Sequence, residues 1–323
     1  MMENTVLVTA IGSFSADISI KTAKQQGWRV IGCDIYPKEW IADASNVHVF
    51  YRAPLASDKE AYIDFILSTI KKERVNYLLP STDYEIDVLN KHRKEIAETG
   101  TILCISDFDT IELCRDKWQL YNHLKKVGFS HLIPTYLVND KSNHMDFGFP
   151  LVGKPSDGRS SQGLKVFCKE HDFHQFQLAA PKNYLVQPKI EGTIITVDVV
   201  RQPDGQKVVA IPRKELLRTL NGAGTTVLVY SDQKLCQICY DLANLLNIKG
   251  CVNFEFIQNE DGDYFFLECN PRFSGGIEFS CMAAYQCVRN HFNCFTGKEI
   301  EELNSYKNTY IARKYEEYIT KQE

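Results

Sequence analysis

Through the first hundred residues, short apolar runs alternate with amphipathic stretches. TVLVTA at 5–10 reads as a strand, 15–26 as a helix stopped by Gly27, and 28–33 as a second strand ending at Asp34. Ser57-Asp-Lys-Glu60 has the spacing of a capping box and opens a helix through Lys72. A strand follows at 76–79. Thr82-Asp-Tyr-Glu85 is a second capping box, for a helix ending near Gly100, and 101–105 is another strand. This alternation predicts an open parallel sheet with helices on both faces. Ligands of such sheets sit at the carboxyl ends of the strands, which points to Gly12, Ser13, Asp34, Thr82, Asp83 and Glu85.

The pattern then changes. Asp116-Lys117 opens a helix through Val127, with Gly128 as its stop and Pro134 beyond. From residue 149 onward, PLVGKP, GLKVF, NYLVQP, GTIITVDVV and KVVAIP are strands separated by turns, which predicts antiparallel sheet. A helix at 232–246 precedes strands at 252–257 and 263–268 around an Asp261-Gly262 turn. The tail after Lys298 reads as a helix or as a last strand at 309–318. The expected class is therefore α/β, turning α+β in its C-terminal part.

Composition narrows the picture by exclusion. The chain has 323 residues, 44% hydrophobic and 24% charged, the profile of a globular protein with a real core. A net charge of -4 argues against nucleic acid or an anionic membrane as partner. No apolar run approaches the ~20 residues of a membrane span. MMENTVLVTAIG has no basic stretch ahead of its apolar run and leads straight into a strand, as expected of a cytoplasmic protein. The eleven cysteines lack small-scaffold spacing, so they are expected as reduced thiols. Cys236-Gln-Ile-Cys239 has no second pair to complete a zinc site and reads as two core positions of a helix.

Three constellations carry chemistry. Lys154-Pro-Ser-Asp-Gly158-Arg-Ser160-Ser161-Gln-Gly163 places a strand-end lysine before a loop of glycines and serines, which suits phosphate oxygens and equally suits a hairpin turn. Glu255, Glu268 and Asn270, followed by Arg272, sit on two strands of a hairpin. Alternation turns the acids away from the phenylalanine face, but it leaves Phe266 on the acidic side. Two adjacent carboxylates call for a cation, and hard oxygen donors of this kind suit Mg2+ shared with nucleotide phosphates. Third, the 184–192 strand breaks at Pro188, which suits backbone groups meeting a base edge and equally suits a plain proline-containing loop.

In this order the segments resemble the ATP-grasp superfamily, in particular single-unit proteins similar to the synthetase component of carbamoyl-phosphate synthase. VLVTAIGSFSADISIKTAKQQGWRVIGCDIYP and YLLPSTDYEIDVL resemble its pre-grasp domain, RDKWQLYNHLKKVGF its linking helix, FPLVGKPSDGRSSQGLKV its lid sheet, and ECNPRFSGG its metal segment. The resemblance implies a Rossmann-like pre-grasp domain over 1–108, linking helix and lid over 109–186, and a C-terminal grasp subdomain with an antiparallel sheet and the metal site over 187–323. It implies that Lys117 and Lys154 hold ATP phosphates under the loop of Gly158, Ser160, Ser161 and Gly163. Gln187, Pro188, Lys189 and Ile190 become the adenine hinge. Glu255, Glu268 and Asn270 become ligands of two Mg2+ (or Mn2+) ions. Arg272 faces the transferred phosphoryl group, and Arg213 falls where relatives place a basic substrate contact.

Two positions depart: the usual Gln-Glu of the hinge is Gln187-Pro188 here. Relatives carry Gly-x-Glu after the hinge, with the glutamate on the ribose, and here the stretch is Gly192-Thr-Ile194. Ribose binding is therefore expected to be weaker, differently arranged, or taken over by Glu191 or by Asp198, which shares strand parity with Ile194. The function implied is an ATP-dependent ligase joining a small carboxylate to an amine (or thiol) through an acyl-phosphate, releasing ADP and phosphate. A nucleotide binder without turnover and bicarbonate activation to carboxyphosphate are the alternatives. The resemblance also allows a homodimer.

Overall fold

The computed structural model describes residues 4–140, 147–159, 162–219 and 223–322. The N-terminal part runs β1 (Thr5–Val8), α1 (Ala16–Gln25), β2 (Arg29–Asp34), β3 (Val49–Arg52), α2 (Lys59–Glu73), β4 (Tyr77–Leu79), α3 (Asp83–Lys91), α4 (Arg93–Glu98) and β5 (Ile102–Leu103). Its five strands form a parallel sheet in the order β3-β2-β1-β4-β5. Fully buried runs such as Thr5–Val8 are what a sheet covered on both faces requires.

The Thr82–Glu85 capping box is formed in full, with the Thr82 side chain on the Glu85 N–H and the Glu85 carboxylate on the Thr82 N–H. The other expected box is shifted by one residue. Asp58 caps α2 by accepting from the Ala61 N–H at 3.3 Å, because an aspartate at that place competes with Ser57 for the same orphan donors. The helix expected to run to Gly100 breaks at His92 into α3 and α4.

α5 (Phe108–Arg115) and α6 (Lys117–Lys126) lead out of this part, with Asp116 capping α6 through the Trp118 and Gln119 N–H groups. A four-stranded antiparallel sheet follows, ordered β6-β9-β7-β8, from β6 (Tyr136–Leu137), β7 (Leu151–Pro155), β8 (Lys165–Phe167) and β9 (Tyr184–Pro188), with α7 (Glu170–Ala179) packed on it.

The last part holds β10 (Thr193–Arg201), β11 (Val208–Arg218), β12 (Gly224–Val229), α8 (Gln233–Leu245), β13 (Gly250–Gln258), β14 (Tyr264–Asn270), α9 (Ile277–Ala283), α10 (Cys287–Phe295) and β15 (Thr309–Ala312). Its six-stranded antiparallel sheet is ordered β14-β13-β10-β11-β12-β15, so the tail is the strand of the two expectations. One hydrophobic core joins β1, β2 and α1 of the first sheet to β10–β13, α9 and α10. All eleven cysteines are free thiols. Among the described residues no helix is long and apolar enough to cross a membrane.

Candidate active site

The four-stranded and six-stranded sheets face each other across a cleft of about 350 Å³. On β13 and β14, Glu255 stands directly opposite Glu268, and Asn253 opposite Asn270. Beyond this pair the register shifts: Phe256 opposes Phe266, so Leu267 is an extra residue, a β-bulge. The bulge corrects simple alternation. Phe266 turns into the core against Phe254 and Phe256, while Leu267 lines the cleft beside the acids. The Phe266 N–H, taken off the ladder, donates to the His131 carbonyl at 2.7 Å.

The acidic pair is held from above by two lysines. The Lys117 ammonium lies 3.3 Å from Glu268 and donates to the Gly158 carbonyl at 2.7 Å. Lys154, next to the last residue of β7, lines the opposite wall. Glu268 keeps 29% of its side-chain surface open to the cleft, yet protein surrounds it on most sides. Burial raises its pKa, but Lys117, Lys154 and the Asn270 amide outweigh burial and hold Glu268 below the usual carboxylate range. Burial and the neighbouring Glu268 charge push Glu255 up to about 7. Burial pulls the Lys154 ammonium down to about 8, against the opposing attraction of Glu268.

The Asn270 amide nitrogen lies 3.3 Å from Glu268 and 3.5 Å from Glu255, bridging the two carboxylates. Two carboxylates and an amide offer the hard oxygens that Mg2+ takes together with phosphate oxygens. Among the described residues there is no group of three or more His, Cys, Asp or Glu that could hold a metal ion.

The loop after Lys154 is bracketed at both described ends. Lys117 holds the Gly158 carbonyl, and the Tyr184 hydroxyl donates to the Gly163 carbonyl at 2.5 Å. Gly163 has φ +74°, and a Cβ there would meet the Pro155 ring at 2.9 Å. Ser160 and Ser161 lie outside the described residues. At the far end of the cleft Gln187, Pro188, Lys189 and Ile190 form a wall. The Gln187 amide is turned away to the Thr135 hydroxyl at 2.7 Å, and the Lys189 N–H is taken by the Pro150 carbonyl.

Ile194 lines the cleft, as parity requires, but Asp198 does not. It lies further along β10, fully buried, paired with Arg213 and accepting from Ser274 and Ser280 at 2.7 Å each. It has no access to a ribose, because three donors enclose it. Glu191 is exposed and paired with Lys189.

Behind the acidic pair lies a second, polar basin of about 250 Å³ containing Arg213, Arg218 and Arg272. Glu255, Glu268 and Arg218 line both the cleft and the basin, so the carboxylate pair is the wall between them. Two buried atoms at the basin, Arg213 Nε and Glu215 Oε2, have no hydrogen-bond partner among the described residues. Glu215 and Arg218 escaped the sequence reading: Glu215 shares the strand parity of Arg213, whereas Arg218 has the opposite parity and reaches the basin past register shifts at Glu215/Leu217 and Leu217/Arg218, which local pattern does not show. Arg272 is tied to Asp83, the first residue of α3, at 3.0 Å.

A family model described as ATP-grasp in the biosynthetic pathway with Ter operon matches residues 180–318. The chain carries an ATP-grasp domain. A second model, described as PylC-like, N-terminal domain, matches residues 6–104. The carbamoyl phosphate synthase large chain of Saccharolobus solfataricus is 25% identical over 239 residues, 69% of this chain and 22% of that protein. That of Clostridium acetobutylicum is 23% identical over 301 residues, 87% of this chain and 27% of that protein. The chain thus spans about a quarter of the length of these relatives.

Among solved structures, biotin carboxylase from Campylobacter jejuni, in complex with β,γ-ATP, superposes with TM-score 0.80 at 16% identity, over 94% of this chain and 74% of that one. N5-carboxyaminoimidazole ribonucleotide synthetase from Thermotoga maritima gives TM-score 0.70 at 19% identity, over 94% and 78%. These likenesses show that the ATP-grasp domain and the parallel-sheet unit before it share one fold with such proteins.

Proposed function

We propose that this ATP-grasp protein is an ATP-dependent ligase that activates a small carboxylate as an acyl-phosphate and passes it to an amine. The observation that carries the reading is the Glu255–Glu268 pair acting as the common wall of a cleft and an arginine-lined basin. A phosphoryl group held over that wall has an ATP-sized cleft on one side and an anion-binding basin on the other. The relatives named synthetase and carboxylase add support.

In this reading the apolar cleft takes the nucleotide base and ribose, with Ile194 and Ile257 in van der Waals contact and no side-chain carboxylate on the sugar. Lys117 and Lys154 neutralise phosphate oxygens, and the 158–163 loop closes over them, keeping water from the acyl-phosphate. Glu255, Glu268 and Asn270 would hold Mg2+, which supplies charge neutralisation for the phosphates. With Arg213 buried behind them on Asp198, Arg218 and Arg272 orient the acceptor carboxylate. Its oxygen attacks the γ-phosphorus and ADP leaves. The amine then attacks the carbonyl carbon, phosphate leaves with the C–O bond electrons, and one proton is released from the nitrogen.

The test is product identity with pooled carboxylates and amines, ATP and Mg2+. ADP and phosphate in equal amounts are expected. AMP and pyrophosphate would overturn the acyl-phosphate route, and nucleotide binding without any product would leave only a binding protein.

A further inference from the structure

At the carboxyl ends of the parallel strands, the first sheet opens a cavity of about 710 Å³, larger than the nucleotide cleft. Its floor is polar, made by Ser13, Asp34, Thr82 and Glu85. Its rim is apolar: Tyr36, Trp40 and Leu55 are 50%, 72% and 57% exposed, and Tyr84, 51% exposed, carries the Arg159 guanidinium on its ring. The Tyr36 and Trp40 rings lie 5.9 Å apart. Large apolar side chains kept in water around one concavity mark a ligand site, and aromatic rims of this kind favour flat rings.

Charge selects the ligand. No lysine or arginine is among the described residues lining this cavity, whereas three arginines line the basin. Asp34 is fixed in place by two backbone donors, the Gly12 N–H at 2.9 Å and the Tyr36 N–H at 3.1 Å, and presents negative charge at the floor. A carboxylate is repelled there and an ammonium group is attracted. A ligase's two organic substrates divide in the same sense. The cavity and the basin also adjoin: Thr82 and Tyr84 line the cavity, and Asp83 between them holds Arg272 of the basin.

We propose that this cavity is the site of the amine substrate, and that this substrate carries an aromatic ring beside its amino group. The proposal rests on the ligase reading, deepening it by naming the class of the nucleophile. The ring lies against Trp40, Tyr36 and Leu55, and the amino end lies over the Asp34 floor toward the basin.

Ligand-observed saturation-transfer NMR on the full chain, without nucleotide, tests this with tyramine, 4-hydroxyphenylacetate and adenosine as probes. Tyramine is expected to bind and 4-hydroxyphenylacetate to be rejected. Trp40→Ala and Leu55→Lys are each expected to weaken tyramine at least tenfold with unchanged melting temperature. If Trp40→Ala disturbs folding, Leu55→Lys, on the exposed rim, decides alone. The proposal is overturned if the acid binds as well as tyramine, if only adenosine binds, if no probe binds, or if folded variants keep wild-type affinity. Because no nucleotide is present, tyramine binding stands even where ADP release is never found. ADP release without tyramine binding refutes the cavity assignment alone.

Discussion

The Arg272 guanidinium donates to the Asp83 carboxylate at 3.0 Å, tying the strand end behind the acidic pair to the first turn of α3 in the N-terminal part. Asp83 also pairs with Arg115, Arg115 with Asp87, and Asp87 with Arg159 of the phosphate loop. Charges of alternating sign therefore run from the basin to the loop along one helix. Asp83 is buried, and although burial alone raises its pKa, Arg272 and Arg115 hold it below the ordinary aspartate value.

Asp83→Asn keeps the shape and removes the charge that positions Arg272. ADP-forming turnover is expected to fall at least tenfold while ATP affinity stays within about twofold, since an interaction of this kind is worth roughly 1.4 kcal/mol or more. Steady-state kinetics with separately measured ATP binding checks the split. Equal losses in both would show that the pair is merely structural.

The Arg159 guanidinium stacks 4.3 Å from the Tyr84 ring centre and pairs with Asp87, docking the loop on α3. Arg159→Ala is expected to raise the ATP KM several-fold and to speed proteolysis of the loop. Global stability should change by less than about 1 kcal/mol, because a partly exposed ion pair contributes little. Limited proteolysis with and without ATP reads the effect.

Arg213 and Asp198 are both fully buried, and each lies among polar partners that cannot replace the other's charge. Arg213→Met is expected to destabilise the fold by about 3–5 kcal/mol, the usual effect of leaving one buried charge alone. Adding Asp198→Leu should recover part of that loss. Urea denaturation of the single and double variants measures the coupling, and strictly additive losses would contradict it.

His291 joins the two ends of the molecule. Its Nδ1 accepts from the Cys251 N–H at 2.9 Å, and its Nε2 reaches the Cys104 carbonyl at 3.1 Å. Burial lowers its pKa to about 3, and the Cys104 carbonyl offsets this only in part. A base with a folded pKa below its unfolded value of about 6.5 contributes stability that is present above 6.5 and lost as pH falls toward 3. Protonation would aim an Nδ1–H at the Cys251 N–H. Unfolding free energy is expected to drop as pH falls through this window, and His291→Gln should flatten that dependence. A profile identical in both proteins would exclude His291 as its source.

What was legible in the sequence was local. The Thr82–Glu85 box, the Asp116 cap and the Asp261-Gly262 turn depend on residues a few places apart, and Gly262 takes the left-handed φ of +80° that this turn needs. The acidic pair was legible for the same reason, lying on one hairpin. The Leu267 bulge was not, since it depends on Phe266 fitting the core between Phe254 and Phe256. Nor were Asp198–Arg213, Arg272–Asp83 or the His291 clamp, which join chain segments from 15 to 189 residues apart. α10 went unread although its positions carry a clear helical period; what the sequence did not show is that its polar face, with Asn290, His291 and Asn293, is buried as well.

The Glu255–Glu268 wall is tested most directly by the rate of ADP formation in Glu268→Gln, measured with Mg2+ and the productive substrate pool. The variant is expected to lose at least a hundredfold in rate while still binding ATP without Mg2+. A Glu268→Gln protein that forms ADP at the wild-type rate would contradict the assignment of this carboxylate pair to phosphoryl transfer.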